Sequence, residues 1–233
     1  MNESGNNEVR KEQSLNSNNQ DPLKRIVLSQ IGTESQSSIK GRSSSTSNAL
    51  YVPWKDGSLY KNGFISKYKL SGELQWRKQI ADVNQITTAT DKDEKIYAAW
   101  SRNSYFTKET RGSFIAKLNP DNGEIVWKTE LKSHNYIIND LHTVGDTLYA
   151  VGQYKGTKRP LFVAINRNDG TLLWQKEVAA SDSTAFTEID SDGSNLYVSS
   201  KSALGISGTV HQLSLIHISE PTRRRGSRMP SSA

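Results

Sequence analysis

Apolar and polar residues alternate with a period of two through much of the chain between residues 49 and 200, and the alternating runs come in pairs. Gly63-Phe-Ile-Ser-Lys-Tyr68, Ser113-Phe-Ile-Ala-Lys-Leu118 and Leu161-Phe-Val-Ala-Ile-Asn166 open three such pairs. Residues two apart share a face in a strand, so Phe64, Ser66 and Tyr68 are expected together. The same holds for Phe114, Ala116 and Leu118, and for Phe162, Ala164 and Asn166. Each run ends in turn residues: Leu70-Ser-Gly72, Asn119-Pro-Asp-Asn-Gly123 and Asn166-Arg-Asn-Asp-Gly170. Glycine accepts the positive φ that such reversals demand, so each pair is read as a hairpin.

The outgoing strands place Leu74, Trp76 and Ile80 on one face, then Ile125, Trp127 and Leu131, then Leu172, Trp174 and Val178. Gln75, Arg77, Gln79, Lys128, Glu130, Gln175 and Glu177 take the other, which predicts one buried and one wet side. Two more strand-like runs precede the hairpins, as in Ile86 to Thr90 followed by Lys95 to Trp100, and Phe186 to Asp190 followed by Asn195 to Ser200.

These units repeat. A glycine stands four residues before each of Trp76, Trp127 and Trp174, and an aliphatic–tyrosine pair recurs at Leu50-Tyr51, Ile96-Tyr97, Leu148-Tyr149 and Leu196-Tyr197. Self-similarity at about 40–50 residues with several short strands per unit is the mark of propeller blades. The expected fold is therefore all-β: a β-propeller of four-stranded antiparallel blades, incomplete, with about three full blades and part of a fourth.

The pattern Phe-x-Ala-x-x-Asn-x-x-Asp/Asn-Gly-x-x-x-Trp, with Leu-Tyr-Val ahead of it, resembles the PQQ-like β-propeller repeat and the related bacterial short propeller repeat, over roughly residues 45 to 212. The resemblance implies that Trp76, Trp127 and Trp174 dock neighbouring blades and bind no cofactor. It also implies a non-catalytic binding or scaffolding propeller that presents its loops to a protein or glycan partner, as envelope-assembly lipoproteins of similar fold do. The alternative is a fragment of a PQQ-dependent quinoprotein dehydrogenase, whose quinone lies on the axis above calcium beside an aspartate base. Those enzymes often carry a vicinal cysteine pair over the quinone, whereas this chain has no cysteine. Fold likeness alone does not license their chemistry, so no enzyme activity and no cofactor are expected.

The ends depart from the repeat. Residues 1–22, rich in Asn, Gln, Ser, Glu and Lys, lack the apolar surface needed to offset ordering entropy and are expected to be disordered. Arg25 to Ile31 resembles the end of an outgoing strand and is placed as a partner for the last blade; residues 34–48, rich in Ser and Thr, read as a long surface loop. The blade region is set at 23–212. From Leu213 the chain resembles the translation of a transposon-based sequencing adapter, and residues 213–233 are taken as non-native. Setting them aside removes Arg223, Arg224, Arg225, Arg228 and Glu220, which lowers the formal charge of +6 by three. The basic tail then gives no argument for nucleic acid. No apolar run reaches the length of a membrane span, and the N-terminus has no signal-peptide core, although the resembled family is often exported or envelope-associated. The expected state is a monomer. With only part of a propeller present, the natural protein is expected to be longer.

Candidate chemistry is sparse. Asp190-Ser-Asp192-Gly193-Ser-Asn195 spaces oxygen donors as calcium loops do, but lacks the closing bidentate carboxylate and aligns with Asp91 to Glu94 and with Gly145-Asp146, so it is read as a turn between strands. His134, His142, His211 and His217 form no metal or triad spacing and are read as isolated surface histidines. No catalytic, cofactor-binding or metal residue is assigned.

Overall fold

The computed structural model describes residues 38–39, 42–55, 62–80, 83–102, 112–131, 136–154, 159–178, 185–202 and 208–215. The expectations for residues 1–22 and 25–31, for His134 and His217, and for the tail beyond residue 215 lie outside them.

Among the described residues, sixteen strands form four antiparallel sheets. Blade 1 contains β1 (Ser38–Ile39), β2 (Ser44–Ser45), β3 (Ala49–Lys55), β4 (Gly63–Lys69) and β5 (Leu74–Ile80). Blade 2 is β6 (Val83–Thr90), β7 (Ile96–Arg102), β8 (Gly112–Leu118) and β9 (Ile125–Glu130). Blade 3 is β10 (Tyr136–Val144), β11 (Thr147–Tyr154), β12 (Pro160–Asn166) and β13 (Leu172–Glu177), and blade 4 has β14 (Ala185–Ser191), β15 (Asn195–Lys201) and β16 (Gly208–Ser214). In blades 2 to 4 the strands pair in chain order, and in blade 1 both β1 and β2 pair with β3, which gives, among the described residues, an incomplete β-propeller of three full blades and three strands of a fourth.

Three apolar layers alternate with the sheets. Trp76, Ile80, Ile86, Ala98 and Phe114 join blades 1 and 2; Tyr97, Ile115, Leu131, Ile138 and Leu161 join blades 2 and 3; Tyr149, Val151, Phe162, Phe186 and Val198 join blades 3 and 4. An inner blade is covered on both sides, which is why β7 and β12 are buried along nearly their whole length.

The tryptophans act as staples between blades. Trp76 Nε1 donates to the carbonyl of Pro120 at 2.9 Å, and Trp127 Nε1 to that of Arg167 at 3.1 Å, each acceptor lying in the hairpin turn of the next blade. Gly123 and Gly170 complete the fit. Both have positive φ (73° and 81°), and a Cβ added to either would lie 2.8 or 2.7 Å from the ring of the stapling tryptophan. A second tie runs between turns: Asp91 Oδ2 accepts from Tyr97 Oη at 3.0 Å and from Arg167 Nη1 at 2.9 Å, while Arg167 Nη2 reaches Asp93 at 3.1 Å.

Four expectations are corrected. Segment 34–48 is no simple loop, because β1 and β2 both pair with β3 and fill the place that one continuous strand takes in the other blades. Phe162 is not the counterpart of Phe64 and Phe114. Those two lie opposite Trp54 and Trp100, three residues after the blade tyrosine, whereas Phe162 lies opposite Val151, two after it; Leu161 holds the equivalent position and Phe162 points to the other side. Leu172 does not share a face with Trp174, since a bulge between them sends Leu172 toward blade 2 and Trp174 toward blade 4. Bulges stand at the same place before Trp76 and Trp127, and Leu74 and Ile125 are exposed. Finally, β16 continues to Ser214 and Leu213 and Leu215 pack against the last apolar layer, so the strand passes the boundary expected at 212.

One repeat position shows how closely polar atoms follow their partners. Trp54 Nε1 donates to Ser66 Oγ at 2.9 Å, but Trp100, at the same register in blade 2, faces a position held by Ala116. Its buried indole N–H has no acceptor among the described residues.

Candidate functional site

The first strand of each blade turns its edge toward a common axis. Residues 42–45, β6, β10 and β14 line a cleft there of about 410 Å³, with Tyr197, Ser199 and Val210 of blade 4 forming one wall. Backbone and hydroxyl bonds fix the blade 1 side. Thr88 N donates to Arg42 O at 3.0 Å, Arg42 N to Thr87 Oγ1 at 3.3 Å, and Ser44 Oγ to Thr88 Oγ1 at 3.1 Å.

With its backbone held against blade 2, Arg42 extends its side chain across the axis. Its Nη1 pairs with Asp140 Oδ2 in blade 3, and its Nη2 lies 3.9 Å from Glu188 Oε1 in blade 4. The Asp140 side chain is only 2% exposed, and the same oxygen accepts the N–H of Ile189 at 3.0 Å. One carboxylate thus receives donors from blades 1 and 4. Burial pushes the Asp140 carboxyl above the usual carboxylate range, outweighing the opposing pull of the Ile189 and Leu141 N–H groups and the Arg42 charge. Beside it, His142 Nδ1 lies 3.7 Å from Asp190 Oδ1. Burial holds the imidazole below its ordinary value against the pull of Asp190 and Asp140, so it is neutral at neutral pH.

The cleft therefore combines one guanidinium, three carboxylates, a neutral imidazole and a fringe of hydroxyls from Ser43, Ser44, Ser45, Thr90 and Ser199. It offers hydrogen-bond donors and acceptors to a polar group. Among the described residues no three His, Asp or Glu side chains are grouped to hold a metal ion.

The residues singled out by sequence fall in three places. Asp190 to Asn195 forms the end of β14 and the turn into β15: Asp192 accepts from the N–H groups of Ser194 and Asn195 and from Tyr197 Oη, and Gly193 has φ 90°. Those bonds hold the Asp192 carboxyl far below its usual range. His142 is no isolated surface residue but lies half-buried in the cleft; His211 is exposed on β16, within 3.1 Å of Ser200 Oγ. Trp76 and Trp127 hold blades together, and none of the three tryptophans lines the cleft. Sequence reading missed Arg42 and Asp140. They are 98 residues apart, Arg42 lies in a serine-rich stretch, and Asp140 is one more polar residue on an alternating strand.

Comparison with known proteins gives the following. The curated outer membrane protein assembly factor BamB of Yersinia pestis is 27% identical over 85 residues, covering 35% of this chain and 21% of that protein. The chain thus spans about a fifth of the length of that relative. Among solved structures, the β-propeller domain of the Trilobed protease from Pyrococcus furiosus is 12% identical, covers 75% of this chain and 54% of that one, and has a TM-score of 0.48. The WD40 domain of Neurospora crassa Pan2 is 12% identical, covers 77% and 50%, and has a TM-score of 0.45. The family model described as outer membrane protein assembly factor BamB matches residues 61–216. That span takes in the hairpins, the staples and the blade 2 to 4 side of the cleft, more than half of the chain, and the chain belongs to this family.

Proposed function

We propose that this chain is a non-catalytic binding propeller that holds a protein partner during assembly in the cell envelope. The observation that supports this reading best is the family match over residues 61–216. The residues that repeat most clearly point the same way: Trp76, Trp127, Gly123 and Gly170 are committed to blade-to-blade contact, and Asp91 and Arg167 to a tie between turns. What varies from blade to blade is left for recognition, as expected of a rigid scaffold carrying its function in loops and clefts. The blade region acts as a monomer in this reading, with residues 23–212 as its body apart from the end of β16. No described helix is long and apolar enough to cross a membrane.

The test is site-specific photo-crosslinking in bacterial envelope preparations. A crosslinker is placed at the exposed turn positions Lys92, Asn122 and Asn168, and at Gln75 and Lys128 on outer strands as comparison sites. The reading expects a discrete polypeptide product from one group of positions and not the other. A glycan captured in its place would keep the binding role and change the partner class. Stoichiometric uptake of pyrroloquinoline quinone with calcium, together with dye-linked alcohol or sugar oxidation, would overturn the non-catalytic reading.

A further inference from the structure

We propose that Arg42 and Asp140 form an acid-released clasp that fixes blade 1 against blades 3 and 4 across the axial cleft. Among the described residues, neighbouring blades are joined by apolar layers, and across the cleft Arg42 links blade 1 to blades 3 and 4 by polar contacts. Its backbone is bound to Thr87 and Thr88, so it is a fixed post from which only the side chain swings. At its far end Asp140 is held in turn by Ile189 N–H. Losing the Asp140 pair therefore leaves Arg42 with its longer, 3.9 Å approach to Glu188 across the cleft, while every apolar layer stays in place.

The charged groups around the pair give the clasp its direction. Arg42 approaches from the segment before β2, Asp140 and His142 stand on β10, and Glu188 and Asp190 on β14. β6 offers the hydroxyls of Thr88 and Thr90, and β15 those of Ser199 and Tyr197; Asp192 keeps the Tyr197 phenol above its ordinary value and uncharged. At neutral pH Arg42 faces three carboxylates and a neutral ring. On acidification Asp140 takes up a proton early, because its value is raised, and His142 becomes charged late, because its value is lowered. The two shifts run in opposite senses, the carboxyl upward and the imidazole downward. Both protonations act against Arg42: one removes its closest anion and the other places a cation beside it.

The sign of the stability effect separates this clasp from general acid unfolding. A carboxyl whose value is raised by folding binds its proton more readily in the folded than in the unfolded chain, so protonation of Asp140 favours the fold while releasing Arg42. Opening at the axis is therefore expected without loss of the blades.

The chain has no cysteine, so paired spin labels can be introduced cleanly in the full-length chain. Ser71→Cys with Ser194→Cys reports blade 1 against blade 4, and Lys92→Cys with Asn122→Cys reports distances within blade 2; all four positions are exposed. Electron–electron distance measurements are made between about pH 8 and pH 4, from above the ordinary imidazole value down to the ordinary carboxyl value. The blade 1 to blade 4 distribution is expected to be narrow at the upper limit and to broaden and lengthen at the lower, while the blade 2 pair stays narrow. Asp140→Asn, which keeps the shape and an acceptor for Ile189 N–H, and Arg42→Gln are each expected to be broad at both limits. A wild-type distribution that does not change with pH, an Asp140→Asn chain as narrow and as pH-responsive as wild type, or parallel broadening within blade 2 would each overturn the clasp.

Discussion

Blades 3 and 4 share one repeat and differ in what stands beside them. In blade 3 the face toward the next blade carries Phe162, 6% exposed under Phe186 and Val198; the same ladder position in blade 4 is Val210, which is 71% exposed. Opposite these stand Val151 and Ser199. At the axis the contrast recurs, with Asp140 2% exposed and its blade 4 counterpart Glu188 66% exposed. One motif thus gives a core residue or a surface residue according to its neighbour. Stability in such an array belongs to the interfaces as much as to the blades, as nearest-neighbour descriptions of repeat proteins hold.

Four paired substitutions test that contrast, beginning with the largest effect. Phe162→Ala is expected to cost about 3–5 kcal/mol and Val210→Ala about 0.5 kcal/mol or less, read from denaturant midpoints. Equal losses would break the comparison. Next come the indoles. Trp127→Ala is expected to cost about 3 kcal/mol, and Trp174→Ala about 1–2 kcal/mol less than that, because Trp174 packs on Phe162 but finds no turn carbonyl among the described residues.

Gly170→Ala and Gly193→Ala sharpen the point, since both residues have positive φ. A Cβ on Gly193 meets nothing within 4 Å, so only the backbone strain of about 1 kcal/mol remains. On Gly170 it enters the Trp127 ring, and the expected loss is about 1–2 kcal/mol larger, visible as a lower thermal midpoint. A similar loss at both sites would mean that the staple yields freely.

The smallest effect is at Asp140. Its raised value contributes a fall in stability as pH rises from the ordinary carboxylate range through that raised value, opposite in sign to the contribution of the lowered His142; Asp140→Asn is expected to remove the Asp140 contribution. At neutral pH the variant should equal the wild type or exceed it by up to about 1 kcal/mol, because half-exposed Arg42 regains water. Glu188→Gln should leave stability within about 0.5 kcal/mol, as for other exposed changes. Thermal melts across pH read both.

Much of this was legible in the chain. A period of two, turn glycines at fixed offsets and a repeat of about 50 residues suffice for strands, hairpins and blades, because each is a local rule applied several times over. Registers were less legible. Phe162 lies 12 residues before its tryptophan, as Phe64 does, yet the blade 1 hairpin is one residue shorter between the paired positions Lys67 and Trp76 than blade 3 is between Ala164 and Trp174. Equal spacing therefore hid a change of face. The bulges before each tryptophan are likewise invisible to a strict alternation, and β1 and β2 are too short and too rich in serine to show one. Arg42 and Asp140 had no local signature, since the pair exists only after the blades have curved around an axis.

The staples also have a direction in time. The indoles of Trp76 and Trp127 are bonded to carbonyls 44 and 40 residues later in the chain. During synthesis, which delivers the N-terminal part first, a finished blade must hold out an uncovered tryptophan until the next hairpin leaves the ribosome. The growing chain therefore always carries one adhesive end, and each new blade covers the last one while exposing its own. A pause in translation between blades would hold that ring open to chaperones, and to the same ring on a neighbouring nascent chain.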